Sequence, residues 1–420
     1  MYKRLLVIGN NCFSQENSNG RTMSGFVKGW PIDHIAQFYT YNELPNSDVC
    51  NNYFRVTDKQ ALLSIFKGPV AGKIIFTKFI QKPPILKKSL AKYRNPLVLL
   101  LRNFIWNIGF WKGKHFMNWV NEFNPEVIFA QAGDTAFRLK IATDLAKEKN
   151  IPLVVYNSEG YYFKRYNYMK DARLTKLFYP LFINNFRNQL RKTVEYAAHT
   201  FYSCESLKED FDLEFNMPSS VIYTASDITP TINYEEKKNL KLSYIGNLGL
   251  NRHKSLIELA NVIQRIDPTL TLDIYGKCPT DNILKAFKDC SAISYKGFIN
   301  YNAVKDVIAS SDILFHVENF ENFYIEDLKY GFSTKIADSL MSGKCFFIYA
   351  PESLACTKYM LSYIPDCVAT NINDLSAKVK IIIENHNSRI HYSKKCLKIA
   401  EQNHTSYKVT NQFFNLVHSL

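Results

Sequence analysis

Nowhere in the 420 residues do about 20 apolar residues run together, so no segment has the length needed to span a bilayer as a helix. Paired cysteines are equally absent. Cys12, Cys50, Cys204, Cys278, Cys290, Cys345, Cys356, Cys367 and Cys396 are scattered, odd in number, and never spaced C-x-x-C. That excludes a disulfide framework and fits a reducing compartment, so a cytoplasmic location is expected. The nine histidines are dispersed too, and no His/Cys group has zinc spacing, so no structural metal is expected. The sequence has no solenoid-length repeat and no low-complexity tract. At the amino end, Lys3 and Arg4 precede an apolar run, yet Leu5–Ile8 is too short for the core of a secretion signal. It reads as a buried first strand ending at Gly9, in a chain expected to be neither exported nor membrane-spanning.

Acidic residues are scarce as well, 38 against 52 basic, for a net charge of +14. Such a field draws nucleic acid, anionic lipid and nucleotide phosphates alike, and does not choose among them. What the chain does have is length and an apolar fraction of 46%, enough for two ordered domains of roughly 200 residues.

The order of short apolar runs and amphipathic stretches predicts two α/β domains. Strands are expected at Leu5–Ile8, Pro125–Ala130, Ile151–Tyr156, Thr200–Ser203 and Ser220–Tyr223, with a helix over Ala136–Lys149. The polar, proline-bearing stretch Thr229–Leu240 is placed as a linker between domains 1–228 and 241–420. The pattern restarts at Leu242–Gly246, continues with a helix over Ser255–Ile266, and adds strands at Leu270–Tyr275, Ile293–Tyr295, Ile313–Val317 and Cys345–Tyr349. Short apolar strands separated by helices imply parallel sheets covered on both faces. Two doubly wound, Rossmann-like domains are expected, their strand carboxyl ends facing each other across a cleft.

The most informative segment is Gly331-Phe332-Ser333-Thr334-Lys335-Ile336-Ala337-Asp338-Ser339-Leu340-Met341-Ser342-Gly343-Lys344. Ser333 or Thr334 suits a helix N-cap and Gly343 the C′ position. A helix amino end carries N–H groups and a positive dipole end that bind phosphate, and Lys335 adds a charge there. Thr334 and Asp338, four apart, share a helix face, which puts a carboxylate one turn below a phosphate site. A plain capped helix would carry the same residues.

In this order and spacing the second half resembles the carboxyl-terminal domain of GT-B glycosyltransferases, especially the retaining family four. Tyr244-Ile245-Gly246-Asn247-Leu248 is similar to the family's Val-Gly-Arg-Leu turn, and Leu272–Gly276 to its Leu-x-Ile-x-Gly. Ser311–Val317 is similar to Ala-Asp-Val-x-Val-x-Pro-Ser, and Ala198–Glu209 in the first half to Ala-Asp-x-Val-Ile-x-Val-Ser-Glu-x-Leu-Lys. The helix from Thr334 is similar to the segment that closes the family's Glu-x(7)-Glu motif. The resemblance implies a nucleoside-diphosphate sugar as donor, with Ser333, Thr334 and Lys335 on its diphosphate and Asp338 on its ribose. Two departures stand out: the motif's first glutamate is Tyr330, with Glu321 or Glu318 as replacements across a lengthened loop, and its arginine is Asn247, with Arg252 or Lys254 to supply the charge.

For the first domain the resemblance implies that the loop after the first strand closes over the sugar diphosphate, which singles out Gly20 and Arg21. Glu159, after the strand ending at Tyr156, is the candidate to position or deprotonate the acceptor hydroxyl. The resemblance implies a hexosyltransferase-like enzyme that transfers with retention to a glycan or lipid-linked glycan hydroxyl in cell-surface polysaccharide synthesis, and it leaves the donor's base and sugar open. The basic, aromatic stretch Lys82–Lys114 reads either as a contact with an anionic membrane surface or as a core helix with basic ends. Asp210-Phe211-Asp212 has the form of a manganese-binding D-x-D but sits in a charged helical stretch, so metal-independent transfer is expected, with no cofactor. A catalytically inactive GT-B binding protein and a nucleic-acid-binding protein are the alternatives. For the latter no recognisable module or arginine-rich patch is present.

Overall fold

A computed structural model of the chain describes residues 2–15, 17–68, 72–75, 95–169, 173–232, 235–237 and 239–420. They form two compact units, residues 1–222 with 410–420 and residues 223–409. The boundary thus falls between Ile222 and Tyr223, ahead of the expected linker. Within that stretch the Thr231 N–H donates to Ser342 O at 2.8 Å, so its first residues pack on the second unit.

In the first unit, strands β1 (Leu5–Gly9), β2 (Ile35–Tyr39), β3 (Asn52–Arg55), β4 (Lys73–Ile75), β5 (Val127–Gln131), β6 (Leu153–Asn157), β7 (His199–Tyr202) and β8 (Ser219–Val221) form one sheet. Its order is β4-β3-β2-β1-β5-β6-β7-β8. All neighbours are parallel except β3 and β4, which run antiparallel at the edge. The helices are α1 (Ser18–Phe26), α2 (Asp58–Lys67), α3 (Pro96–Ile108), α4 (Lys114–Phe123), α5 (Ala136–Lys149), α6 (Arg173–Tyr196) and α7 (Glu205–Phe215). The central strands are buried along their whole length, as apolar runs covered on both faces require. Phe413, from the closing stretch of the chain, fills this core beside Phe26, Phe129 and Phe201, its ring 4.6 Å from that of Phe129.

The second unit is built from β9 (Leu242–Ile245), β10 (Leu272–Tyr275), β11 (Ile293–Gly297), β12 (Ile313–Val317), β13 (Cys345–Tyr349) and β14 (Val368–Ala369). All pair in parallel in the order β11-β10-β9-β12-β13-β14. Its helices are α8 (Arg252–Ile266), α9 (Asp281–Lys288), α10 (Tyr301–Ser310), α11 (Asn322–Leu328), α12 (Thr334–Met341), α13 (Ala355–Tyr363), α14 (Ile372–Glu384) and α15 (His386–Asn403), followed by α16 (Ser406–Ser419). Strand order reverses between β1 and β5 in one sheet and between β9 and β12 in the other. In doubly wound sheets ligands bind at the carboxyl ends of the strands at such a reversal.

His404 closes the core of the second unit. It is fully buried, its Nδ1 lies 3.0 Å from Thr224 O and its Nε2 2.9 Å from the Tyr359 hydroxyl. The carbonyl requires a proton on Nδ1, so Nε2 accepts from Tyr359. Burial holds its pKa down at about 4, despite the bond to Thr224 O. The unfolded ring, at about 6.5, therefore binds a proton that the folded one refuses between those two values. Stability conferred by the neutral ring is present above pH 6.5 and is lost as pH falls toward 4, by about 3 kcal/mol. Urea unfolding at pH 7 and pH 5 checks this: His404→Gln flattens that pH slope, whereas an unchanged slope would remove His404 as its source.

Candidate functional site

Beside the reversal point of the second unit, the loops that follow β9 and β10 are drawn together. Gly246 follows β9 and Gly276 follows β10, and a Cβ on Gly276 would stand 2.1 Å from Gly246 O. No other residue fits there without moving backbone. The loop after β9 turns through Leu250 and Asn251, both with positive φ, into α8. Asn319, two residues beyond the end of β12, donates from Nδ2 to Asn251 O at 3.0 Å, and Ser255 Oγ donates to Glu318 O at 2.8 Å.

The sequence proposed Arg252 for the donor diphosphate, and the structure gives its guanidinium another task. Arg252 Nε and Nη2 donate to the two carboxylate oxygens of Glu318 at 2.7 and 2.9 Å, both groups being buried. Nη1 leans toward Asn247 O and Gly249 O. His316 Nε2 lies 3.2 Å from Glu318 Oε1, close enough for an ion pair though off the line of a good hydrogen bond. Burial alone would raise the Glu318 pKa, but His316 and Arg252 more than offset it and hold the carboxylate ionised. Arg252 is therefore a fixed strut between α8 and the end of β12. Lys254, by contrast, is exposed and pairs with Glu321.

The helix singled out by sequence is α12. Ser333 is its N-cap, with Oγ accepting from the Lys335 N–H at 3.3 Å. Gly343 has φ +74° just past its carboxyl end. Asp338 lies on its buried face, where Ser226 Oγ donates to Oδ1 at 2.7 Å. Lys335, Asp338 and Ser339 line a pocket of about 20 Å³ together with His316 of β12 and Ser243 of β9. That is room for about one water. Lys335 and Asp338 line this one small pocket, and Asp338 is also part of the packing of residues 223–232.

The lengthened loop before this helix is α11, and Glu321 is its N-cap residue, exposed. Tyr330, in the place of the motif's first glutamate, is buried with Lys329 over its ring. Asp210-Phe211-Asp212 lies within α7, where Phe211 is core and Asp212 accepts from Lys208 and Ser219.

In the first unit a cavity of about 1030 Å³ lies at the carboxyl ends of β1, β2, β5 and β6. Glu159 stands exposed at its rim, its N–H bonded to Asn157 Oδ1. Gly20 does not line this cavity. It sits within α1 against its own chain, a Cβ there meeting Cys12 O at 2.6 Å, so packing rather than ligand approach accounts for the glycine. Arg21 is half-buried on the same helix. Sequence reasoning missed Arg55, Arg138 and Asp58 in this cavity, and it covered Arg102 only as part of the stretch Lys82–Lys114. Of that stretch, residues 82–94 lie outside the described residues. Beyond them, Arg102, Trp106 and Trp111 are buried and belong to the core, which corrects a surface role for these three.

Two doubly wound sheets, parallel but for the β3–β4 edge and each reversing its strand order once, define a GT-B fold. Structures similar to the chain include HepE from Anabaena, solved with UDP and glucose, at 11% identity and TM-score 0.62 over 100% of both chains. Sucrose-phosphate synthase from Thermosynechococcus elongatus follows at 10% identity and TM-score 0.59, covering 99% of this chain and 98% of that one. OtsA in its apo form is similar at 9% identity and TM-score 0.54 over 99% and 98%. No family profile and no curated protein matches the sequence.

Proposed function

We propose that the chain moves a sugar from a nucleoside-diphosphate sugar to a hydroxyl of a glycan or lipid-linked glycan, with retention and without a metal. The observation that carries this reading is α12. Its capped amino end, Lys335 and Asp338 stand beside β12 at the reversal point of a unit whose fold is shared with a protein solved with UDP and glucose. Thr334, Lys335 and the helix end take the diphosphate charge, aided by Lys254, and Asp338, steadied by Ser226, takes a ribose hydroxyl. Arg252 and Glu318 position the loops rather than bind phosphate. Glu159 positions or deprotonates the acceptor at the cavity of the first unit, and Glu321 acts on the donor sugar. The role in cell-surface polysaccharide synthesis follows from this acceptor class.

A second reading, a GT-B protein that binds nucleotide sugar without transferring it, is favoured by Tyr330 in the glutamate's place. Among the described residues no helix is long and apolar enough to cross a membrane. Exposed Phe66, Phe104 and Phe110, flanked by exposed Lys67, Lys112 and Lys114, are the surface we assign to a peripheral membrane contact.

A thermal-shift panel of UDP-, GDP- and ADP-sugars tests the donor, because a ligand of the native state raises the melting temperature. One nucleotide sugar should raise it by several degrees and be consumed on incubation. A shift without consumption selects the binding-only reading, and no shift with any of them removes both.

A further inference from the structure

The cavity of the first unit has two unlike walls. One is apolar, formed by Leu62 of α2 and Leu99, Leu101, Ile105 and Trp106 of α3. Leu62 and Leu101 are 41% and 52% exposed, so this wall continues from the cavity to the protein surface. The other holds three guanidinium groups, Arg55, Arg102 and Arg138.

Each of these arginines is only partly satisfied, Arg55 bonding Glu43 O through Nη1 at 3.1 Å and Arg102 lying over the Phe137 ring at 5.0 Å. Arg138 is 2% exposed, and Nε and Nη2 both donate to one neutral hydroxyl, Thr135 Oγ1, at 3.1 and 2.8 Å. Among the described residues it forms no ion pair. Gly133 makes room for it, since a Cβ there would lie 2.7 Å from Arg138 Nη2. Arg102, 8% exposed, donates from Nε to Asp58 Oδ1 at 2.7 Å, but its Nη2 is buried with no hydrogen-bond partner among the described residues. Arg55 Nε is in the same state. Asp58 also accepts from Trp106 Nε1 at 2.8 Å. The cavity's charged lining is Arg55, Arg102, Arg138 and Lys59 against Asp58, Asp134 and Glu159, four cations to three carboxylates. Burial, with Arg102 nearby, lowers the Arg138 pKa to about 10. Buried cationic donors without partners are costly unless an anion completes them.

We propose that this cavity binds the acceptor as an anionic amphiphile, its phosphate or carboxylate on Arg138, Arg102 and Arg55, its apolar chain along the α2–α3 wall, and the hydroxyl that receives the sugar, losing its proton as the nucleotide diphosphate leaves, on the glycan carried by the same head group. A guanidinium fork matches either head. The inference rests on the glycosyltransferase reading, because it names the acceptor class for that reaction.

The test is titration of the full chain, below micelle-forming concentrations, with farnesyl phosphate, dodecanoate, farnesol and inorganic phosphate, read by Trp fluorescence and by thermal shift. UDP-glucose and the other nucleotide sugars are titrated in parallel. One of the two charged amphiphiles should bind about 10-fold or more tighter than both farnesol and inorganic phosphate. Which of the two it is assigns the head group. Arg138→Gln should abolish that preference over farnesol. Leu101→Ser, on an exposed position that folding tolerates, should weaken the amphiphile but not inorganic phosphate. Farnesol binding as tightly as its phosphate, or no amphiphile binding while a nucleotide sugar still binds, would overturn the inference and leave the donor reading standing. Amphiphile binding without any nucleotide-sugar binding would uphold the site and remove the transferase reading.

Discussion

Lys335→Ala is expected to lower turnover by about 10²–10³-fold, the usual loss when one preorganised charge facing a leaving group is removed. The lysine follows the Ser333 cap, so its ammonium acts where the helix dipole is already positive. Its side chain is only half-buried and fills no core, so unfolding should shift by less than about 1 kcal/mol. Steady-state kinetics alongside urea unfolding separate the two effects. Equal losses of activity and stability would reduce Lys335 to part of the helix cap. Lys335→Arg should recover part of the rate, because it restores charge though not its position.

Glu318→Ala is expected to have the largest effect on stability, about 3–5 kcal/mol, because it leaves Arg252 charged and unpaired in the interior. Arg252 is 8% exposed and donates two bonds to Glu318, while Ser255 and Asn319 fasten the same two loops. The double variant Arg252→Met with Glu318→Leu should be less destabilised than Glu318→Ala alone, since no buried charge remains. Urea unfolding of the single and double variants checks this. Additive losses would mean that the pair is not the unit that holds these loops.

Much of the fold was legible because buried parallel strands are short apolar runs. β12 and β13 have the limits expected from Ile313–Val317 and Cys345–Tyr349, and α5 those expected from Ala136–Lys149. The strands missed are ones whose composition hides them. β2 carries Gln37 at its centre, a buried polar residue that bonds Phe13 N and Asn11 O, and so breaks the apolar run. β3 is Asn-Tyr-Phe-Arg, and β4 and β14 are three and two residues long. The helix cap and C′ glycine of α12 were legible because they are local. The Arg252–Glu318 pair was not, because its partners are 66 residues apart and only the packing of β9 beside β12 brings them together. The arginine cavity was hidden for the same reason, since α2, α3 and α5 each supply or support one wall.

Hydrogen–deuterium exchange with the nucleotide sugar that shifts the melting temperature tests the central claim most directly, that the amino end of α12 holds the donor diphosphate. Saturating ligand should slow exchange in peptides spanning Phe332–Asp338 and Gly246–Gly249, and Lys335→Ala should abolish the slowing in the first of these. Protection confined to other segments, with 332–338 unchanged, would contradict it.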